Sequence, residues 1–247
     1  MEFVGIPFCD GSLGKNIGCE LAPDEIIKLL NVKSVNLDIK NKNIEEAGVD
    51  IYNFVKNENK KLFLVGGDHS ITYYSFKAYA EKNQDCGLVV FDAHPDMQSS
   101  DFVTHEDYLR ILIDRNIIKP SNVILVGLRS ISKEELKYLS EKRIVYFDMN
   151  KIYDFGIKEV CDLVMERMAS FNKLYLSVDI DVVDPAFAPG TGYLEPGGIS
   201  SSDLLYVLGR MKKMKNLDMV DLVEINPKKD LNNLTISLGR KILEAFS

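Results

Sequence analysis

Gly87-Leu-Val-Val-Phe91-Asp92-Ala-His94-Pro-Asp96 is the stretch whose reading decides the fold. The run from Gly87 to Phe91 is unbroken by a polar residue and reads as a strand buried on both faces. Asp92, His94 and Asp96 then follow at every second residue. Period-two spacing at the carboxyl end of a strand places the three on one side of the chain, and a turn there makes them converge. Carboxylate with imidazole suits Mn, Zn, Fe or Ni, and the excess of oxygen favours a harder ion such as Mn. For this stretch alone the competing reading is a polar turn with an Asp capping the next helix.

Outward from it, apolar runs alternate with helical patterns to both ends. Strands are expected at Phe3 to Ile6, Val35 to Ile39, Leu62 to Val65, Gly87 to Phe91, Asn122 to Gly127, Ile144 to Tyr146, Leu174 to Val178 and Leu217 to Val223. Helices are expected from Ala22-Pro23 and over about Ile44 to Asn57, Ile71 to Lys82, His105 to Arg115, Lys133 to Ser140, Lys158 to Ala169, Ser200 to Met211 and Leu234 to Phe246. Ser200, Ser201 or Ser202 supplies the cap of the penultimate helix. About eight strands alternating with helices predict a three-layer α/β/α fold around a mostly parallel, doubly wound sheet. No linker, repeat or low-complexity segment divides residues 1–247, so one domain is expected. Ligands of such sheets bind outside the carboxyl ends of the strands.

Composition narrows the function classes. With 46% hydrophobic and 27% charged residues, 247 residues suffice for one large core. A net charge of -7 argues against nucleic acid as a partner. No apolar run reaches membrane-spanning length, no basic run suggests a membrane surface, and the first residues read as a strand, not a signal peptide. Cys9, Cys19, Cys86 and Cys161 are widely spaced, as in a reduced cytoplasmic protein. All three histidines lie in polar loops beside other candidate site residues.

Three further clusters follow strands. Gly66-Gly67-Asp68-His69-Ser70 combines a sharp Gly-Gly turn with a histidine aimed at the strand-end crevice. Asp68 there either orients a ligating His or caps the next helix. Ser177-Val-Asp179-Ile-Asp181-Val-Val-Asp184-Pro185 puts two carboxylates on one side of an apolar strand end. Such carboxylates repel unless a cation lies between them, or else they are simply solvated at a loop mouth. His69, Asp92, His94, Asp96, Asp179 and Asp181 are too many ligands for one ion and suit two metals about 3.5–4 Å apart, the arrangement of hydrolytic two-metal sites. Glu224, in Leu222-Val-Glu224-Ile-Asn226-Pro227, is placed to pair bidentately with a cationic planar group, or to cap or salt-bridge at the surface.

In this order, Gly66-Gly-Asp-His69, Asp92-Ala-His94-x-Asp96, Ser177-x-Asp179-x-Asp181-x-x-Asp184-Pro and Glu224-x-Asn226-Pro resemble the motifs of the ureohydrolases, the family of arginase and agmatinase, over nearly the whole chain. The loop Asp184-Pro-Ala-Phe-Ala-Pro-Gly-Thr-Gly192 with Gly197-Gly198 looks most like agmatinase. The resemblance implies two Mn(II) per chain, one held by His69, Asp92, Asp96 and Asp179 and the other by His94, Asp92, Asp179 and Asp181. It implies that hydroxide generated between them attacks a guanidinium carbon, that Asp96 accepts a hydrogen bond from it, and that Glu224 holds the guanidinium. It implies a loop histidine passing a proton to the leaving amine, for which His105 is the remaining candidate. A homo-oligomer, trimer or hexamer, is also implied.

Three features depart from the family. Thr104-His105-Glu106-Asp107 replaces a longer loop with His-Gly, leaving a helix-capping reading open for His105. Gly127-Leu-Arg129-Ser-Ile-Ser132 lacks the acid that arginases use to bind the α-amino group. Tyr193 stands where a smaller residue is usual and narrows the pocket. The expected function is hydrolysis of a small guanidino compound to urea, agmatine first. Arginine or formiminoglutamate as substrate, and a non-catalytic metal-binding protein on the same scaffold, are the alternatives. A deacetylase-like amidohydrolase is disfavoured by the Asp179-x-Asp181 pair and Glu224.

Overall fold

The computed structural model describes residues 1–28, 30, 34–40 and 42–247. Its strands are β1 (Glu2–Ile6), β2 (Ser34–Asn36), β3 (Leu62–Gly66), β4 (Gly87–Phe91), β5 (Val123–Leu128), β6 (Val145–Asp148), β7 (Leu174–Asp179) and β8 (Leu217–Val223). Its helices are α1 (Ala22–Ile27), α2 (Ile44–Asn57), α3 (Ile71–Lys82), α4 (Tyr108–Asp114), α5 (Lys133–Lys142), α6 (Met149–Phe155), α7 (Ile157–Met168), α8 (Ser201–Met211) and α9 (Leu234–Phe246). One sheet runs β2-β1-β3-β8-β7-β4-β5-β6, and every pairing is parallel.

Each central strand is buried on both faces, so alternate residues feed two cores. Phe63, Val65, Val89, Leu176 and Val178 pack with residues of α1, α7, α8 and α9. Leu62, Leu64, Leu88, Val90 and Tyr175 pack with residues of α2, α3, α4 and α5. This is the expected three-layer arrangement. Local chemistry sets the helix starts: Asn43 with Glu46, Ser132 with Glu135, and Ser200 with Asp203 each form a reciprocal cap.

The differences from expectation are local. The second strand spans Ser34–Asn36, not Val35 to Ile39, because it pairs only with β1, at the sheet edge, and Ile39 turns into the core instead. The helix expected from His105 begins at Tyr108, with Asp107 in the cap position, so His105 neither starts nor caps it. Helix α6 was not expected; Asp148, whose side chain accepts from the Lys151 N–H at 2.9 Å, is the capping signal that marks it. No helix among the described residues is long and apolar enough to cross a membrane.

The strand order explains how the site forms. β3, β8, β7 and β4 are consecutive neighbours, and each of the four motifs lies at the carboxyl end of one of them. The Glu224 N–H donates to the Gly67 carbonyl at 2.7 Å and ties the ends of β8 and β3 together. Gly67 is required there by space, since a Cβ would lie 1.6 Å from the Phe8 carbonyl oxygen, which backbone cannot vacate. Gly67→Ala is therefore expected to cost on the order of 3 kcal/mol, read as a lower midpoint in urea unfolding, whereas alanine at Gly209, where a Cβ meets nothing within 4 Å, costs nothing or stabilises.

Candidate metal centre

The residues after β3, β4 and β7 converge as the spacing predicts. His69 Nδ1 lies 3.1 Å from Asp92 Oδ2, 3.1 Å from Asp96 Oδ2 and 3.2 Å from Asp179 Oδ2. His94 Nδ1 lies 3.1 Å from Asp181 Oδ2 and 3.5 Å from Asp92 Oδ1. Backbone donors aim three of the carboxylates. Asp92 Oδ1 accepts from the His94 N–H, Asp179 Oδ1 from the Asp181 N–H, and Asp181 Oδ1 from the Ala93 N–H. Each leaves its second oxygen facing an imidazole.

One imidazole nitrogen cannot donate to three carboxylates, and His69 Nδ1 and Asp92 Oδ2 are both buried without a hydrogen-bond partner. His69, Asp92 and Asp179 form one group able to hold a metal ion, and Asp92, His94 and Asp181 a second that shares Asp92. Burial and the neighbouring carboxylates raise Asp179 and Asp181, and the same causes, Asp92 foremost among the charges, push Asp96 up to about 8. Burial opposes charge on His94, yet Asp181 and Asp92 raise it. The cluster thus attracts positive charge strongly. Two imidazoles with four carboxylates fit a pair of hard-to-borderline divalent ions.

Beside the cluster, Glu224 is held from three sides. Its Oε1 accepts from the His69 N–H at 2.8 Å and lies 3.0 Å from His105 Nδ1, and its Oε2 accepts from the Asn16 amide at 2.6 Å. Burial opposes its charge, but the His105 bond prevails and its pKa is lowered. Burial likewise opposes protonation of His105, and the Glu224 carboxylate overrides it, pushing His105 up to about 9. Glu224 and Asp96 both adopt left-handed backbone, φ 66° and 52°. Non-glycine residues hold that conformation at a cost their surroundings must offset.

His94, Asp96, Asp179, Asp181, His105 and Glu224 line a cleft of about 350 Å³. His105 is part of this lining, its buried Nε2 makes no hydrogen bond and lies 4.0 Å from Glu106 Oε1, and the Tyr193 ring stacks on the imidazole at 5.8 Å between centroids. Farther out, Glu106, Glu195, Gln98 and Ser130 form the wall; the Tyr193 hydroxyl donates to Glu106 at 2.5 Å. Among the described residues, no Lys or Arg lines the cleft.

Asp68 is not the carboxylate behind His69. Its Oδ1 accepts from the Ser70 N–H and hydroxyl in the turn ahead of α3, a helix without a side-chain cap bond, so the capping alternative is not met either. The groups that do meet His69 Nε2 are Ser177 Oγ at 2.9 Å and Tyr108 Oη at 3.0 Å. Sequence reasoning gave neither that role, and it missed Asn16, 208 positions from Glu224 in the loop between β1 and α1. It also passed over Asp221, an acid in the middle of an apolar strand, which was the available signal. Arg129 holds the loop after β7, donating to the carbonyls of Asp181, Val182 and Glu195.

A model of the arginase family of sequences matches residues 31–247. An arginase of Staphylococcus aureus (strain MRSA252) is 29% identical, over 100% of this chain and 96% of its own length. An agmatinase of Bacillus cereus is 37% identical over 69% of this chain and 57% of its own length. The crystal structure of formimidoylglutamase from Bacillus subtilis superposes with a TM-score of 0.91 at 23% identity, covering 99% of this chain and 85% of that one, a likeness of fold.

The His105–Glu224 contact has a pH signature. A histidine raised from its ordinary value near 6.5 to about 9 stabilises the fold fully below the lower value, and the contribution disappears as pH rises through the upper one. Metal-free wild type should therefore exceed His105→Asn in stability by on the order of 2–3 kcal/mol at about pH 6, and by little at about pH 9.5. Equal gaps in thermal melts at both values would contradict an ion pair.

Proposed function

The chain belongs to the arginase family, and on that footing we propose that it is a hydrolase that cleaves a guanidinium C–N bond of a small substrate and releases urea, with agmatine the first candidate. The observation that carries this reading is the Glu224 carboxylate, fixed by His69, His105 and Asn16 in the same cleft that His94, Asp96, Asp179 and Asp181 line. A buried, pre-oriented carboxylate is the complement of a guanidinium.

In this reading His69, Asp92, Asp96 and Asp179 hold one metal ion, and His94, Asp92, Asp179 and Asp181 the other, with Mn(II) the first choice for so oxygen-rich a set. Bound there, the pair lowers the pKa of water enough to supply a nucleophile at neutral pH. The chain's own residues do the rest. Glu224 anchors the guanidinium and holds its carbon toward the cluster. Asp96 accepts a hydrogen bond from the attacking water. His105, kept protonated through neutral pH by Glu224, is part of the cleft lining and gives its Nε2 proton to the departing amine. Water adds to the guanidinium carbon, the C–N bond breaks, and urea and an alkylammonium result.

The outer cleft supports a cationic tail on the substrate. Glu106 and Glu195 line it, no Lys or Arg among the described residues does, and the guanidinium of Arg129 is spent on loop carbonyls, so the α-carboxylate of arginine would meet two acids and no free cation. The arginase reading is supported by the Staphylococcus aureus relative, named for that activity. In solution we propose a trimer or hexamer, on family resemblance, and a cytoplasmic location that keeps the four free cysteines reduced.

Urea release from a panel of guanidino compounds with Mn(II) added tests the reading directly, and no urea from any of them would refute it. Glu224→Gln keeps the shape and removes the charge. It should cost on the order of 2–5 kcal/mol in kcat/KM for every accepted substrate, the range seen on breaking a buried charge pair. Replacing Glu106 and Glu195 together by Gln should instead leave kcat largely intact and cut the preference for agmatine over arginine by about tenfold, the effect of one lost charge contact; an unchanged ratio would place tail recognition elsewhere.

A further inference from the structure

Behind the cluster, on the side away from the cleft, lies a carboxylate that the proposed chemistry does not use. Asp221 is fully buried in the middle of β8, its side chain on the face whose neighbours are Met219 and Val223. Burying a carboxylate among apolar side chains is costly unless donors surround it. Three hydroxyls do so: Tyr175 at 2.6 Å and Thr72 at 2.8 Å on Oδ2, and Ser177 at 2.6 Å on Oδ1. Ser177 and Asp221 are paired directly across the β7–β8 ladder, so the contact is built into the sheet register.

Ser177 has a single hydroxyl hydrogen, and the short bond to a carboxylate commits it to Asp221. Ser177 Oγ, 2.9 Å from His69 Nε2, is then left only lone pairs to offer. His69 must donate to it, so Nε2 carries the proton and the Nδ1 lone pair is free, on the side of Asp92, Asp96 and Asp179. The Tyr108 hydroxyl, 3.0 Å from the same nitrogen, keeps its own hydrogen unassigned and imposes neither tautomer. We propose that Asp221 is a positioning residue that acts through Ser177 to hold His69 in the tautomer able to bind a metal ion through Nδ1. The proposal rests on the two-metal reading of the cluster.

Asp221→Asn tests it with nearly unchanged shape. The hydroxyls of Tyr175 and Thr72 require an acceptor, so the amide oxygen takes the Oδ2 place and the NH2 group faces Ser177. Ser177 then accepts from the amide and turns its hydrogen to His69 Nε2, which moves the ring proton to Nδ1 and removes the ligand. Calorimetric titration with Mn(II), with electron paramagnetic resonance to separate paired from isolated ions, reads the effect without any substrate. Two ions are expected in the wild type. In Asp221→Asn, affinity at the His69 site should fall by roughly 10- to 100-fold, as for other groups that orient a ligating histidine, leaving isolated Mn(II) at intermediate concentrations. Ser177→Ala should weaken the same site, and in that background Asp221→Asn should have almost no further effect, because the route through Ser177 is already cut. Additive losses in the double variant, or wild-type Mn(II) binding by Ser177→Ala or by Asp221→Asn, would overturn the proposal. Should Asp221→Asn fail to fold, the Ser177→Ala titration alone still decides. A wild type that binds no Mn(II) would instead overturn the two-metal reading beneath it.

Discussion

Four carboxylates gathered within a few ångströms inside a protein cannot all stay ionised unless positive charge lies among them. Asp92, Asp96, Asp179 and Asp181 are in that position, with the imidazoles of His69 and His94 between them. Much of the surrounding structure serves this arrangement. Backbone N–H groups fix one oxygen on three of the acids, Arg129 ties down the loop that carries Asp181, and the Met97 N–H bonds to Glu135 at the start of α5, steadying the chain just past Asp96. A site able to hold metal ions gains from ligands already in place, since each loose side chain adds an ordering cost to binding.

A second charge system sits against the first with the opposite logic. Glu224 stays ionised because His69, His105 and Asn16 all donate to it, and His105 stays protonated because Glu224 is there. The pair keeps an anion and a protonated imidazole side by side in one cleft at neutral pH. The left-handed backbone of Glu224 and Asp96 stores of order 1–3 kcal/mol at each residue, a cost that the parallel sheet beneath is well able to offset.

The outer cleft is where this chain differs from the family pattern. The acid that arginases place after Gly-x-Arg is absent at Ser130, while Glu106 and Glu195 project into the same space from other loops. Arg129 itself does not line the cleft and spends its guanidinium on loop carbonyls. The inner and outer ends of the cleft are therefore built by different means. Strand termini set the first, and loops free to vary set the second.

The chain by itself determined the layers and the convergence of the histidines and aspartates, because both depend on short-range periodicity. Apolar runs such as Gly87 to Phe91 and Leu174 to Val178 can only be strands covered on both faces, and ligands at every second residue past their ends share one side. That His105 precedes α4 instead of beginning it, and that Asp107 holds the cap position, depended on loop geometry that no periodicity encodes. Only the tertiary structure decided the partners. The order β3-β8-β7-β4 brings Glu224 to the His69 N–H, 155 residues away, and Asn16 to Glu224, 208 away. Ser177 meets Asp221 through ladder register alone. Hydrogen bonds of 2.6 to 2.9 Å tolerate no slack, so which distant donor reaches which acceptor is settled by strand order and register, quantities that local sequence does not carry.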